Sequence, residues 1–190
     1  MTMISKYLQM LRVFNTDVRM YLLCSALVGM SHFGIAAMLV NLYLLRLGYG
    51  PEFIGLVNGS SSLAFACFSI PAGALGKRLG IRRMMVTGVF FLLVSTLMLP
   101  MAEFLPSAWQ SGGFVASRVL SGAGSALYFV NGNPFLVATT DPATREHAFS
   151  VQTALMPLAG IFGSLLGGVM PDFFVRILDV TLTDPASYWY

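Results

Sequence analysis

The segment Gly73-Ala74-Leu75-Gly76-Lys77-Arg78-Leu79-Gly80-Ile81-Arg82-Arg83 constrains this chain more than any other. It is short, glycine-rich and basic, and it separates two apolar runs that are each long enough to cross a bilayer. A connection this short can only join two antiparallel spans at one membrane face. Its four positive charges, Lys77, Arg78, Arg82 and Arg83, place that face in the cytoplasm, because cytoplasmic loops retain Lys and Arg. The remaining topology follows from this one assignment.

Composition agrees. Hydrophobic residues make up 56% of the 190 and charged residues 10%, with a mean hydropathy of +0.76. Soluble domains carry about 25% charged residues, so most of this chain's surface must face lipid or other helices. The net charge of +3 is no sign of nucleic-acid binding, since the basic residues cluster beside the spans. Cys24 and Cys67 both lie in apolar runs and read as small packing residues. No metal-ligand spacing and no cofactor motif occurs, and the spans lack the paired carboxylates or nucleophile–base pairs of an enzyme.

The expected fold is all-α, a polytopic bundle of transmembrane helices. Residues 1–20, with Lys6, Arg12 and Arg19, read as an uncleaved cytoplasmic amphipathic lead-in, and residues 21–190 as the bundle. Five spans are expected, near 21–45, 53–75, 84–102, 112–138 and 148–170, each supplying the roughly 20 residues that a crossing needs. Eight basic residues then fall inside and two, Arg46 and Arg176, outside. The N-terminus is therefore cytoplasmic, and a plasma (inner) membrane protein is expected. Tyr188-Trp189-Tyr190 resembles an aromatic belt opening a sixth span, which predicts a truncated chain.

Arg118 is the sharpest polar residue, placed within the fourth span. A guanidinium at membrane depth costs at least a few kcal/mol, so such residues face a bundle interior or a wet cavity. Arg118, Gly122 and Ser125 share a helical face. No Asp or Glu falls within a predicted span, which leaves His32 as the titratable group for proton coupling. Ser25, Gly29, His32 and Ala36 form a small polar stripe at α-helical spacing in the first span. Asn58 lies on a comparable stripe in the second, and Asn131-Gly132-Asn133-Pro134 is expected to loosen the fourth span. In the fifth, Gln152, Met156, Gly160, Gly163 and Gly167 share a face whose glycines predict close packing, with Gln152 as the cavity candidate.

Three of these motifs together resemble the major facilitator superfamily. The basic segment is similar to that family's loop G-x-L-A-D-R-x-G-R-R between its second and third helices. Gly73, Leu75, Gly76, Arg78, Gly80 and Arg82 fit it, with Lys77 at the family's acid and Ile81 at a base. Arg118, Gly122 and Gly124 resemble its R-x-x-x-G-x-G signature. Gly163-Ser164-Leu165-Leu166-Gly167-Gly168 is similar to the G-P-x-x-G-G of drug/proton antiporters, with Ser164 in place of the proline.

The resemblance implies the N-terminal half of a secondary carrier, with a small-molecule substrate bound against a C-terminal half near the bilayer midplane. It implies efflux of a small organic compound, proton-coupled, by alternating access. Arg118 would organise the cavity and the basic loop would gate its inner side. An uptake permease for a sugar or other metabolite, and a non-transporting sensor or scaffold, remain alternatives.

Overall fold

The computed structural model describes residues 14–178, with side chains described as far as Met170. The charges at Lys6 and Arg12 and the ending Tyr188-Trp189-Tyr190 lie outside the described residues. Among those described the fold is entirely helical: α1 (Thr16–Arg46), α2 (Pro51–Leu79), α3 (Ile81–Met101), a single 3-10 turn (Ala102–Phe104), α4 (Ser107–Thr139) and α5 (Pro142–Leu178). All five long helices have the length and apolarity to cross a membrane. An all-helical answer is what lipid requires, because every backbone N–H and C=O must be satisfied within its own segment.

The helices start earlier than hydropathy alone marks, and all but α3 also end later. Asn15 caps α1 by accepting from the Val18 N–H at 2.9 Å, and Asp17 sits in the first turn beside the positive end of the helix dipole. Arg145, Glu146 and His147, expected in a loop, occupy the first turns of α5. Asn131-Gly132-Asn133-Pro134 does not loosen α4, which continues through Pro134 to Thr139. The larger correction concerns residues 73–83. They form almost no loop: α2 runs on to Leu79 and α3 starts at Ile81, so the reversal rests on Gly80 alone. Gly80 adopts φ +100°, a conformation that residues with a Cβ rarely take, while its N–H still donates to the Gly76 carbonyl.

The chain forms two compact units. Among the described residues, one runs to Tyr43 and resumes at Leu136; the other holds Leu44–Phe135. In the first, α1 and α5 pack backbone against backbone. α1 is not α-helical throughout, because Gly29–Ala36 winds as a π-helix. Hydrogen bonds of the i→i+5 type widen the turn, so Gly29 is followed onto the buried side by Gly34, five residues on. The expected stripe Ser25, Gly29, His32, Ala36 is therefore broken: Ser25 and Gly29 are buried, while His32 and Ala36 are half-buried.

Gly34 and Gly163 face one another so closely that a Cβ on Gly34 would lie 2.6 Å from the Gly163 Cα. A Cβ on Gly163 would run into the Met30 carbonyl, and one on Gly167 would lie 3.3 Å from the Ile35 Cα. Gly163 and Gly167 thus sit where α5 comes closest to α1, while a Cβ on Gly160 or Gly168 would meet only ordinary contacts.

In the second unit α4 lies between α2 and α3. Gly122 meets α2 at the Ser61 carbonyl and Ala64; Gly124 meets α3 at Gly88, where a Cβ on either glycine would come within 2.8 Å of the other's carbonyl oxygen. Two residues apart on an α-helix is a rotation of about 200°, which points these glycines to opposite sides. The burial follows: 56% of the apolar window of α4 is buried, against 11% for α2.

Gly163→Leu is expected to destabilise the α1–α5 pair by at least the ~1–3 kcal/mol typical of overpacking, because the obstacle is backbone. Gly112→Ala, at a site where a Cβ meets nothing within 4 Å, should instead stabilise α4 by about 0.5–1 kcal/mol. Thermal unfolding in detergent micelles checks both signs.

Candidate functional site

Arg118 projects from α4 toward α2, one turn from the Gly122 contact. Its Nη2 donates to Asn58 Oδ1 at 3.4 Å, while its buried Nε has no hydrogen-bond partner among the described residues. The close α2–α4 approach at Gly122 places Asn58 within reach. A neutral amide can hold a guanidinium without cancelling its charge. Ser117, Ser121 and Ser125 are buried on the same helix, and the Ser117 hydroxyl donates to the Phe114 carbonyl, 2.8 Å away. Nothing in the sequence pairs Arg118 with Asn58 or α4 with α2, since the two residues lie 60 positions apart.

A second polar group forms within the other unit. Gln152 of α5 donates to the Tyr21 hydroxyl of α1 at 2.6 Å, and the buried Ser25, one turn along, is a further partner of that phenol. Ser25 and Gln152, both expected at a cavity, meet through Tyr21, which carries no sequence signal beyond its position at the head of an apolar run. His32 lies in the π-helical segment with its ring edge-on to Phe33, centroids 5.2 Å apart. Ser164 replaces the antiporter proline and keeps ordinary helix geometry there, its hydroxyl donating to the Gly160 carbonyl at 3.0 Å.

The basic turn is held in place from α4. Asn131 is almost fully buried, and its Nδ2 donates to the Ala72 carbonyl of α2 at 3.2 Å and to the Leu127 carbonyl of its own helix at 2.9 Å. Gly76 makes room for it: a Cβ there would overlap Asn131 Oδ1. The end of α2 is thereby fastened to α4 directly beneath Lys77 and Arg78. Lys77, Arg78, Arg82 and Arg83 are all exposed. Gly80 supplies no side-chain cap and no acidic residue stands in the first turn of α3, so nothing local offsets the charge. Gly73 packs on Val130 of α4, where a Cβ would sit at an ordinary 3.5 Å.

These features define a class. The chain is an integral membrane protein of tightly packed helices with a few polar side chains inside and a charged one-residue turn at one end. Residues 21–176 match the sequence profile of the Major Facilitator Superfamily, and the chain belongs to that family. Similar proteins include the major facilitator superfamily multidrug transporter mfsC of Aspergillus fumigatus, 32% identical over 64% of this chain and 22% of the relative. The efflux pump terJ of Aspergillus terreus is 30% identical over 67% of this chain and 26% of its own length. The cephamycin export protein CmcT of Amycolatopsis lactamdurans is 28% identical over 75% of this chain and 29% of its own. The chain thus spans under a third of the length of these relatives. No solved structure matches it significantly.

Asn131→Ala should destabilise the α2–α4 contact by about 1–3 kcal/mol through loss of a buried hydrogen bond. Gly76→Ala should also destabilise, through the clash with Asn131 Oδ1. The double variant is expected to be more stable than Gly76→Ala alone, because the clash disappears with its partner. Unfolding midpoints of the three variants test this non-additivity.

Proposed function

We propose that the chain forms the N-terminal half of a secondary carrier that exports a small organic molecule by proton-coupled alternating access. The single observation that carries this reading is Arg118: a guanidinium at membrane depth, restrained by the neutral Asn58 and with an Nε that has no hydrogen-bond partner among the described residues. Such a group is costly unless it serves a ligand, an ion path or a partner charge. In this reading Arg118, Asn58, Gln152 and Ser25 act in substrate binding and coupling, and His32 carries the coupled proton. The partner is a C-terminal half, with the substrate bound between the halves.

Residues 1–20 would form the cytoplasmic lead-in, with the carrier in the plasma (inner) membrane. Lys77, Arg78, Arg82 and Arg83, on either side of Gly80, would then act at the inner gate, with Gly73 in the helix that leads to it. The named activities of the fungal efflux pump and the bacterial cephamycin exporter support export as the direction. An uptake permease is the second reading, favoured by Ser164, which lacks the backbone break that the antiporter proline provides.

Everted membrane vesicles containing the native gene product test the assignment. An imposed proton gradient should drive accumulation of an exported fluorescent compound, and Arg118→Ala should abolish it while the protein remains folded and membrane-inserted. Undiminished transport by Arg118→Ala removes that residue from the mechanism. Gradient-driven flux of sugars alone would favour uptake, and ligand binding without flux a sensor or scaffold.

A further inference from the structure

We propose that the turn between α2 and α3 binds the headgroup of an anionic phospholipid, whose acyl chains lie along the outer face of α3. Two independent features of the structure converge on this lipid. The first is charge. Lys77, Arg78, Arg82 and Arg83 crowd around a one-residue reversal, all exposed, and among the described residues none of them pairs with a carboxylate. The position where a family acid would dilute the charge holds Lys77 instead. Because Gly80 is the whole connection and Asn131 fastens α2 beneath it, the four cations cannot spread apart as they would on a long loop.

The second feature is an apolar column under that charge. Val86, Phe90, Leu93 and Leu97 of α3 are each more than half exposed, and their spacing of four, three and four residues places them on one helix face. Arg82 continues the same face one turn before Val86. From Val86 to Leu97 the column rises about 16 Å at 1.5 Å per residue, close to half of the ~30 Å hydrocarbon core of a bilayer. A cationic head above one leaflet's depth of exposed apolar surface has the shape and chemistry of a two-chain phospholipid with a net negative headgroup. Clustered Lys and Arg at a membrane surface attract such lipids electrostatically, and the column adds a fixed place for the chains. A zwitterionic lipid fits the column equally and lacks the net charge, so the selectivity comes from the turn.

The test uses the purified chain in phosphatidylcholine bilayers, probed with spin-labelled phosphatidylglycerol and spin-labelled phosphatidylcholine. The motionally restricted fraction should favour phosphatidylglycerol several-fold. That preference should fall to near parity in K77Q/R78Q/R82Q/R83Q and stay unchanged in R46Q. It should also fall in the unmodified chain at about 1 M salt, where the Debye length shrinks to about 3 Å; this arm holds even if the fourfold variant fails to fold. No preference in the unmodified chain, or a preference that survives both neutralisation and salt, overturns the proposal. So does displacement of labelled phosphatidylglycerol by inorganic phosphate beyond that caused by chloride at equal ionic strength, which would assign the turn to a soluble anion.

Discussion

Lipid tails are as apolar as leucine, so a helix in a bilayer gains little by leaving them for another apolar helix, and the helices here associate by bringing backbones into contact. Gly34 against Gly163 and Gly88 against Gly124 are the points where this happens, each so close that a single added carbon collides with the opposite main chain. Glycine costs an exposed helix about 0.5–1 kcal/mol relative to alanine. Dispersion over the closely apposed surfaces offsets that cost, since each pairing admits many atom contacts that a Cβ would hold apart. The rest of the architecture depends on these points. They decide which helices pair, and through Gly122 they bring α2 near enough for Asn58 to meet Arg118.

Polar groups within the bundle follow a second rule, that a buried donor or acceptor must be answered nearby. Most serine and threonine hydroxyls return to carbonyls of their own helix, as Ser95, Ser117, Thr96 and Ser164 do. A few side chains reach across instead. Asn131 to Ala72 and Gln152 to Tyr21 each tie two helices, and Gly76 leaves the space that Asn131 occupies. Arg118 stands apart by lying within a span: it donates to the neutral Asn58, and its Nε, like that of Arg145 near the start of α5, has no hydrogen-bond partner among the described residues. A membrane protein tolerates that arrangement where the group has work to do, which is why Arg118 stands at the centre of the proposed transport mechanism.

Two local irregularities shape the backbone. At Gly80 a φ of +100°, open to glycine, shortens a loop to one residue and concentrates charge. In α1 the π-helical winding turns Gly29 and Gly34, five residues apart, both toward α5, with Gly29 itself in ordinary helical dihedrals, and Ser31 donates to the Leu27 carbonyl. His32 is displaced from the α-helical stripe as a result.

Much of this architecture is legible in the amino-acid sequence. Hydropathy and the siting of Lys and Arg determine five helices and the place of each reversal, because the transfer energies of whole segments are large and additive along the chain. The glycines of the R-x-x-x-G-x-G and G-S-L-L-G-G motifs announce close packing for the same reason that they deliver it, the absence of a Cβ. What those glycines touch is not legible. Gly122 and Gly124 look equivalent in sequence and meet different helices; Asn58 and Arg118, or Tyr21 and Gln152, become partners only through folding over long separations. The π-helical register of α1 belongs to this second group. Its glycines meet α5, and a single segment read at 100° per residue carries no trace of it. Local energies write the helices into the sequence, and the choice among partners, distributed over many weak and distant contacts, is left to the tertiary structure.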